Sequence, residues 1–161
     1  MVEAYLGATR ILQKIVGALV IVGLAGIVLL VTLQIIDRYL FKDPVVWTEE
    51  LARYVFVWST IFGASLALRR FELICVTFIL DRLPPIPRRI AMALGLLGVI
   101  VFFWIFVQYG SKLLVTAMGA GTTSPGLGAP MYLIYLIFPI GGTMMLIFSI
   151  ACLIEVLMGR K

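Results

Sequence analysis

Four long apolar stretches separated by polar segments make up most of this sequence. They cover residues 15–36, 47–68, 90–111 and 131–154. Each has about 20 residues or slightly more, and at 1.5 Å per residue such a helix crosses a hydrocarbon layer of about 30 Å. Only the second stretch contains charged residues, which lie in its opening turns. The pattern predicts an all-α integral membrane protein with four spanning helices in a single membrane domain.

The connections between these stretches differ in character. Residues 69–89 begin and end with arginines, and their apolar run at residues 73–80 is too short to cross a bilayer. We expect a short helix at about residues 71–83, between the second and third spans, that lies in the membrane interface and ends at the following prolines. Residues 116–130 are rich in Gly, Thr, Ser and Pro, which predicts turns packed at the outer surface.

The distribution of Lys and Arg predicts the orientation, because cytoplasmic loops carry an excess of these residues. With the N-terminus inside, the cytoplasmic side carries Arg10, Lys14, Arg69, Arg70, Arg82, Arg88, Arg89, Arg160 and Lys161. The outer side carries Arg38, Lys42 and Lys112, with Arg53 just inside the second span. We therefore expect both termini to lie in the cytoplasm.

Composition agrees with a bilayer as the main surrounding. Of the 161 residues, 63% are hydrophobic and 13% are charged, whereas a soluble domain has about 45–50% apolar and about 25% charged residues. The net charge of +5 reflects the basic residues that are scattered among the loops. Because the basic residues form no single stripe, they do not predict a nucleic-acid partner.

The residue types argue against chemistry carried out by this chain itself. It contains no histidine, which is the usual general base near neutral pH and the commonest metal ligand. Cys75 and Cys152 are far apart and form no C-x-x-C pair, so we expect both to be small apolar residues. We predict no enzyme activity, no cofactor and no metal site.

The charges of the second stretch are Glu49, Glu50 and Arg53. Either carboxylate can reach Arg53 on one helix face, since the spacings are four and three residues. One interpretation is an interfacial ion pair that orients the helix end. The other is contact with a partner chain, or with Asp37 and Arg38, because ionisable groups at membrane depth usually serve a function. Cation binding is disfavoured, since one helical turn supplies too few oxygen ligands.

Aromatic and small residues extend this region. Trp47 suits the outer membrane interface, and Trp58, which is too deep for that, is expected to pack between helices. Ser59, Gly63 and Ala67 recur at four-residue spacing, a pattern that lets another helix approach closely. The predicted partner-contact or helix-end residues are Arg38, Trp47, Glu49, Glu50, Arg53, Trp58 and Gly63.

Three groups of residues carry a resemblance to a known family. The first is Arg38-Tyr39-Leu40-Phe41, Trp47-Thr48-Glu49-Glu50-Leu51-Ala52-Arg53, Trp58, Phe62-Gly63-Ala64 and Arg69-Arg70. The second is Asp81-Arg82-Leu83-Pro84, and the third is Ser124-Pro125 through Pro130, Tyr135 and Pro139-Ile140-Gly141. With these residues the chain resembles the small membrane subunit, Q or DctQ-like, of tripartite ATP-independent periplasmic (TRAP) transporters. It departs from the family at residues 73–77, where Leu-Ile-Cys-Val-Thr replaces the frequent His-Ile-x-Val-Asp.

The resemblance implies one part of a three-part uptake system in the bacterial inner membrane. Its partners would be a periplasmic solute-binding protein and a large membrane subunit, which holds the substrate and ion sites and moves as an elevator driven by an ion gradient. The small subunit would brace the large one. Substrates of the family are organic anions such as C4-dicarboxylates, keto acids or sialic acid.

Two other readings of the sequence remain open at this point. An autonomous small homo-oligomeric membrane carrier would need a membrane-embedded carboxylate away from the helix ends, and the first, third and fourth stretches contain none. A membrane enzyme or redox subunit is disfavoured by the lack of histidine and of paired cysteines.

Overall fold

The structure is a computed structural model that describes residues 2–41, 46–70 and 84–159. The interfacial helix expected at residues 71–83 lies outside this part of the chain, as does Cys75. The helices are α1 (Val2–Ile36), a π-helical turn (Asp37–Phe41), α2 (Val46–Arg69), α3 (Pro85–Ala120), the short α4 (Tyr132–Tyr135) and α5 (Ile137–Leu157).

Among the described residues, four helical segments are long and apolar enough to cross a membrane. They are Gly7–Leu40, Val46–Arg69, Ile86–Ala120 and Tyr132–Leu157. Within the described ranges the only β pairing is an isolated bridge between Thr123 and Pro130. The predicted fold class, an all-α membrane protein with four spans, is therefore confirmed.

The third helix is longer than the sequence pattern suggested. Pro84 precedes the helix and prolines occupy its first turn, where a missing N–H costs nothing. The prolines therefore begin α3. At the other end, residues 116–120 are helical and not part of the loop, and Thr116 Oγ donates to the carbonyl of Lys112. The helix ends where Gly121 adopts a left-handed conformation with φ of 59°.

The helices pack as two antiparallel pairs joined through their inner members. α1 packs along α2, α3 packs along α5, and α2 contacts α5. In the apolar stretch of α5, 44% of the residues are buried, against 6% in those of α1 and α3. α2 and α5 thus form the centre of the bundle, and α1 and α3 leave most of their apolar surface for lipid or a partner.

Two small clusters of buried side chains hold these pairs together. One consists of Val16, Phe62 and Ile137, which come from α1, α2 and α5. The other consists of Leu96, Cys152 and Val156, which join α3 to α5. Cys152 is completely buried. Its thiol also donates weak hydrogen bonds to the carbonyls of Leu68, at 3.6 Å, and Arg69, at 3.8 Å.

Adjacent glycines allow α5 to lie between its two neighbours. A Cβ atom added to Gly141 would overlap with Ile61 Cγ2 of α2. One added to Gly142 would lie 2.6 Å from Val107 Cγ2 of α3. Because a β-branched side chain in a helix has essentially one rotamer, neither neighbour can turn away easily. The two glycines therefore set the closest approach of α5 to both of its neighbours, as small residues do between membrane helices.

Candidate functional site

The start of α2 and the loop at residues 121–131 meet at one end of the bundle, which we call the loop end. Glu50 accepts hydrogen bonds from the Ser124 hydroxyl and from the N–H groups of Gly126 and Leu127, the latter two at 3.0 Å. A Cβ at Gly126 would lie 3.0 Å from the Glu50 carboxyl carbon. The carboxylate therefore holds the loop against α2, and Gly126 lets the loop approach it closely.

The loop itself is built to present these donors. Ser124 N–H donates to the carbonyl of Ala129 at 2.8 Å, and Gly128 N–H donates to the carbonyl of Ser124 at 2.9 Å. Gly128 has φ of 64°, a conformation that other residues adopt only with strain. The Ser124 side chain is buried and also accepts from Leu127 N–H at 3.3 Å. These bonds form a compact turn that closes on the Glu50 carboxylate.

Glu49 and Arg53 form a pair on the surface of the same helix. Arg53 Nη2 donates to Glu49 Oε1 at 2.8 Å, and both side chains are more than half exposed. Such exposed i,i+4 pairs contribute about 0.3–0.5 kcal/mol. Arg53 is thus paired with Glu49, while Glu50 is directed to the loop. By their spacing, either carboxylate could pair with Arg53. In the structure the two have different surroundings.

The other predicted contact residues do not join Glu50 in its contacts with the loop. Arg38 is exposed in the π-helical turn after α1, and no described contact joins it to Glu49, Glu50 or Arg53. Trp47 is exposed. Trp58 packs edge to face on Phe62, with ring centroids 5.6 Å apart, beside the cluster formed by Val16, Phe62 and Ile137.

The small-residue stripe of α2 is divided between two environments. Ser59 is buried against Gly23 of α1, where an added Cβ would overlap with the Ser59 hydroxyl. Gly63 has no atom within 4 Å of an added Cβ, apart from its own helix and chain neighbours. The position of Gly63 therefore leaves room for a side chain or for an atom of another molecule.

At the end of the bundle away from that loop, which we call the opposite end, lies an ion pair that the sequence analysis missed. Arg69 donates from both terminal nitrogens to Glu155, at 2.7 and 3.0 Å. Both side chains are buried, with 6% and 10% of their surface exposed. The sequence pattern places Arg69 among the loop charges and Glu155 just outside the fourth span. Instead, Arg69 is the last residue of α2, and α5 continues to Leu157.

One sequence signal pointed weakly to this pair. Glu155 is the only acidic residue after Asp81, and it follows an uncharged stretch. A carboxylate at such a position usually has a partner, although nothing in the spacing identifies Arg69. Nearby, the Tyr5 hydroxyl donates to the carbonyl of Ile147 at 2.7 Å. Burial raises the pKa of Tyr5 above its ordinary value, against the opposing charge of Arg69.

Together these features describe a multi-pass membrane protein in which two ion pairs, Glu49 with Arg53 and Arg69 with Glu155, lie near the two ends of the bundle. In the described ranges no three Cys, Asp or Glu residues are grouped as metal ligands. The hydrogen bonds of Arg69 with Glu155 and of Tyr5 with Ile147 join helices, and those of Glu50 join α2 to the loop.

Comparison with known proteins identifies the family. Residues 27–159 match the family described as "Tripartite ATP-independent periplasmic transporters, DctQ component". The chain belongs to this family, which confirms the resemblance stated from the sequence.

Individual relatives agree with this family. The C4-dicarboxylate TRAP transporter small permease protein DctQ of Rhodobacter capsulatus is 34% identical over 100 residues, covering 62% of this chain and 44% of that protein. The sialic acid TRAP transporter small permease protein SiaQ of Vibrio cholerae is 25% identical over 136 residues, covering 80% and 79%. The isethionate TRAP transporter permease protein DctMQ of Oleidesulfovibrio alaskensis is 27% identical over 126 residues, covering 74% and 20%. The chain thus spans less than half the length of the Rhodobacter protein.

Proposed function

We propose that this chain is the small transmembrane subunit of a TRAP transporter and braces a large membrane subunit in the bacterial inner membrane. The assembly takes up an organic anion that a periplasmic solute-binding protein delivers, and an ion gradient drives the uptake. The relatives are named for C4-dicarboxylate, sialic acid and isethionate. All three are organic anions, which supports this substrate class.

One observation carries this proposal. A segment similar to most of this chain accounts for only 20% of the length of the isethionate permease DctMQ. In that relative the segment therefore belongs to a much larger permease chain. This supports a large membrane subunit as the companion of the present protein, and it does not favour the alternative of an autonomous homo-oligomeric carrier.

The arrangement of charges is compatible with a brace. Arg69 and Glu155 neutralise each other, and Glu49 and Arg53 do the same at the loop end. The apolar faces of α1 and α3 are left exposed to the membrane. Such faces are sufficient for a brace. Membrane helices are held together by close packing and a few polar contacts, and neither requires charges in the middle of a span.

We further propose that the predicted contact residues act in two ways. Glu50 shapes the loop end through Ser124 and Leu127, and so prepares the surface that a partner meets. Trp47 and the Glu49–Arg53 pair are exposed beside it and supply direct contacts. Arg38, Trp58 and Gly63 complete the proposed set, with Gly63 as a point of close helix approach.

Reconstitution tests the function directly. The chain, its large permease subunit and its binding protein are placed in proteoliposomes with an imposed ion gradient, and uptake of C4-dicarboxylate, sialic acid and isethionate is measured. We expect uptake of one of these anions only when all three proteins are present. Solute flux through the purified chain alone would refute the proposal and would revive the autonomous carrier.

A test of assembly addresses the predicted contacts. Charge reversal by Glu50→Lys is expected to reduce co-purification with the large subunit and to reduce uptake, because the loop end loses its organising carboxylate. Met158→Lys, at the exposed residue that follows α5 at the opposite end, adds a charge away from that loop and outside the spans, and serves as the control. Unchanged assembly and uptake in Glu50→Lys would discard the assignment of Glu50.

A further inference from the structure

A groove of about 600 Å³ runs between α1 and α2 at the opposite end of the bundle. Its rim carries three exposed cations, namely Arg10, Lys14 and Arg70. The described lining residues include no carboxylate. The volume lies within the range of about 300–1,000 Å³ that is usual for small-ligand sites. The groove therefore concentrates positive charge at one place on the membrane surface of the protein.

The groove becomes apolar toward the middle of the helices. Below the cations, its walls are Gly17, Ala18 and Ile21 of α1 and Leu66 of α2. These α1 positions share one helix face with Arg10 and Lys14, because they recur at spacings of three and four residues. From Arg10 to Ile21 the helix rises about 16 Å. Ile21 is 70% exposed, so this apolar wall is open to the surrounding bilayer.

A glycine gives the groove its depth. Gly17 faces α2, and a Cβ atom added there would lie 3.8 Å from Leu66 Cδ2. This distance is an ordinary van der Waals contact, so close helix packing does not require the glycine. A large side chain at this position would instead project into the groove. Filling the groove is therefore possible without removing any of its charges.

We propose that this groove binds an anionic phospholipid. Arg10 and Lys14 hold the phosphate of the headgroup through charge-assisted hydrogen bonds, Arg70 adds a third positive charge, and the first part of an acyl chain lies along Ala18 and Ile21. Basic pockets between membrane helices favour such headgroups. A soluble anion would gain nothing from the apolar wall, and an acidic protein segment would leave that wall uncovered, whereas a lipid matches both parts.

Native mass spectrometry of the full-length chain in detergent tests this proposal, alone or with its large subunit where the two co-purify. Phosphatidylglycerol, phosphatidylethanolamine and phosphatidylcholine are titrated in turn. We expect retention of phosphatidylglycerol above the other two lipids. The double variant Arg10→Gln/Lys14→Gln is expected to weaken that binding about 25-fold, since each cation near an anionic surface contributes about a factor of five.

Two further variants separate the parts of the site. Gly17→Leu keeps all the charges and fills the groove, so it is expected to reduce phosphatidylglycerol binding as well. Arg88→Gln/Arg89→Gln removes two exposed cations from the first turns of α3, outside the groove, and is expected to leave the lipid bound. The thermal unfolding of each variant is compared with that of the original chain to verify that the fold is intact.

If the groove binds something other than an anionic phospholipid, these experiments give different results. Equal retention of the three lipids, or binding by Arg10→Gln/Lys14→Gln as tight as by the original chain, overturns the proposal. Displacement of the lipid by free glycerol phosphate at the concentration at which the lipid binds indicates a soluble-anion site and overturns it too. If no lipid is preferred but the same double variant loses the large subunit, the cations bind acidic groups of that subunit, and the lipid assignment is wrong.

Discussion

Arg69 at the end of α2 and Glu155 near the end of α5 are joined by two hydrogen bonds of 2.7 and 3.0 Å, although 86 residues separate them in the sequence. The pair joins the two central helices at the opposite end of the bundle. A guanidinium and a carboxylate meet here in the two-point geometry that is the strongest and most directional of their contacts. Because both are buried, neither can exchange its partner for water.

Removal of Glu155 is therefore expected to be costly. Glu155→Leu leaves the Arg69 charge buried without its carboxylate, and breaking a buried pair in this way typically costs about 3–5 kcal/mol of unfolding free energy. Arg69→Met/Glu155→Leu removes both charges and is expected to recover most of that loss. Denaturant unfolding in detergent micelles measures the difference. Equal stability of the single and double variants would contradict the role given to the pair.

The loop end offers a matched comparison between two adjacent carboxylates. Glu50→Ala removes the acceptor of Gly126 and Leu127 N–H, so we expect these amides to exchange with deuterium several-fold faster. Glu49→Ala removes only an exposed pair with Arg53 and is expected to leave loop exchange unchanged. Hydrogen exchange read by mass spectrometry distinguishes the two variants. Similar exchange in both would mean that Glu50 does not hold the loop.

Close packing of α5 predicts sensitivity at its glycines. Gly142→Val places a Cβ only 2.6 Å from Val107 Cγ2, and overpacking of this kind costs about 1–3 kcal/mol. Gly98→Val is the control, because it introduces the same β-branched residue into a helix at a position with nothing within 4 Å. Thermal unfolding of both variants in detergent measures the effect. If Gly98→Val loses as much stability as Gly142→Val, the loss arises from the helix propensity of valine and not from packing.

Gly63 allows partner contact to be separated from stability. Nothing outside its own helix and chain neighbours lies within 4 Å of an added Cβ, so Gly63→Leu is expected to leave the unfolding temperature of the isolated chain unchanged. If another helix approaches here, the same substitution lowers co-purification with the large subunit. Gly95→Leu on α3, where the space is equally open, controls for added bulk. Normal assembly of Gly63→Leu would remove this residue from the proposed contacts.

The proposed orientation is tested by labelling of intact cells with a membrane-impermeant thiol reagent. In a Cys75→Ser/Cys152→Ala background, Thr122→Cys and Met158→Cys introduce exposed thiols at the two ends of the bundle. With both termini in the cytoplasm, Thr122→Cys is labelled and Met158→Cys is protected until the cells are opened. If Met158→Cys is labelled in intact cells and Thr122→Cys is protected, both termini lie outside the cytoplasm and the predicted orientation is wrong.

Features that depend on residues close in the sequence could be predicted, whereas contacts between residues far apart in the sequence could not. The spans followed from uninterrupted apolar stretches of about 20 residues, because a helix satisfies all the backbone hydrogen bonds of such a segment inside lipid. The Glu49–Arg53 pair agrees with the spacing of the two residues, four apart on one helix. Glu50 with Ser124 and Arg69 with Glu155 are 74 and 86 residues apart. No periodicity relates such residues, since these contacts arise only after the helices have been placed beside one another.

The boundaries of the helices show the same limit. The composition around Thr116 and Gly119 predicts a loop from residue 116 onward. Yet the helix continues through both and ends only at Gly121, where the backbone turns left-handed. Similarly, the tight approach at Gly141 and Gly142 depends on which residues lie opposite. Ile61 and Val107 were not identifiable as neighbours from the pattern alone.

The adjacent glycines of α5 have a mechanical consequence. With Ile61 wedged against one side and Val107 against the other, α5 cannot slide or rotate without forcing its neighbours apart. Relative movement of the four helices would thus require the whole centre to dilate. If the proposed large subunit moves through the bilayer, as the family resemblance implies, this chain would stay fixed beside it.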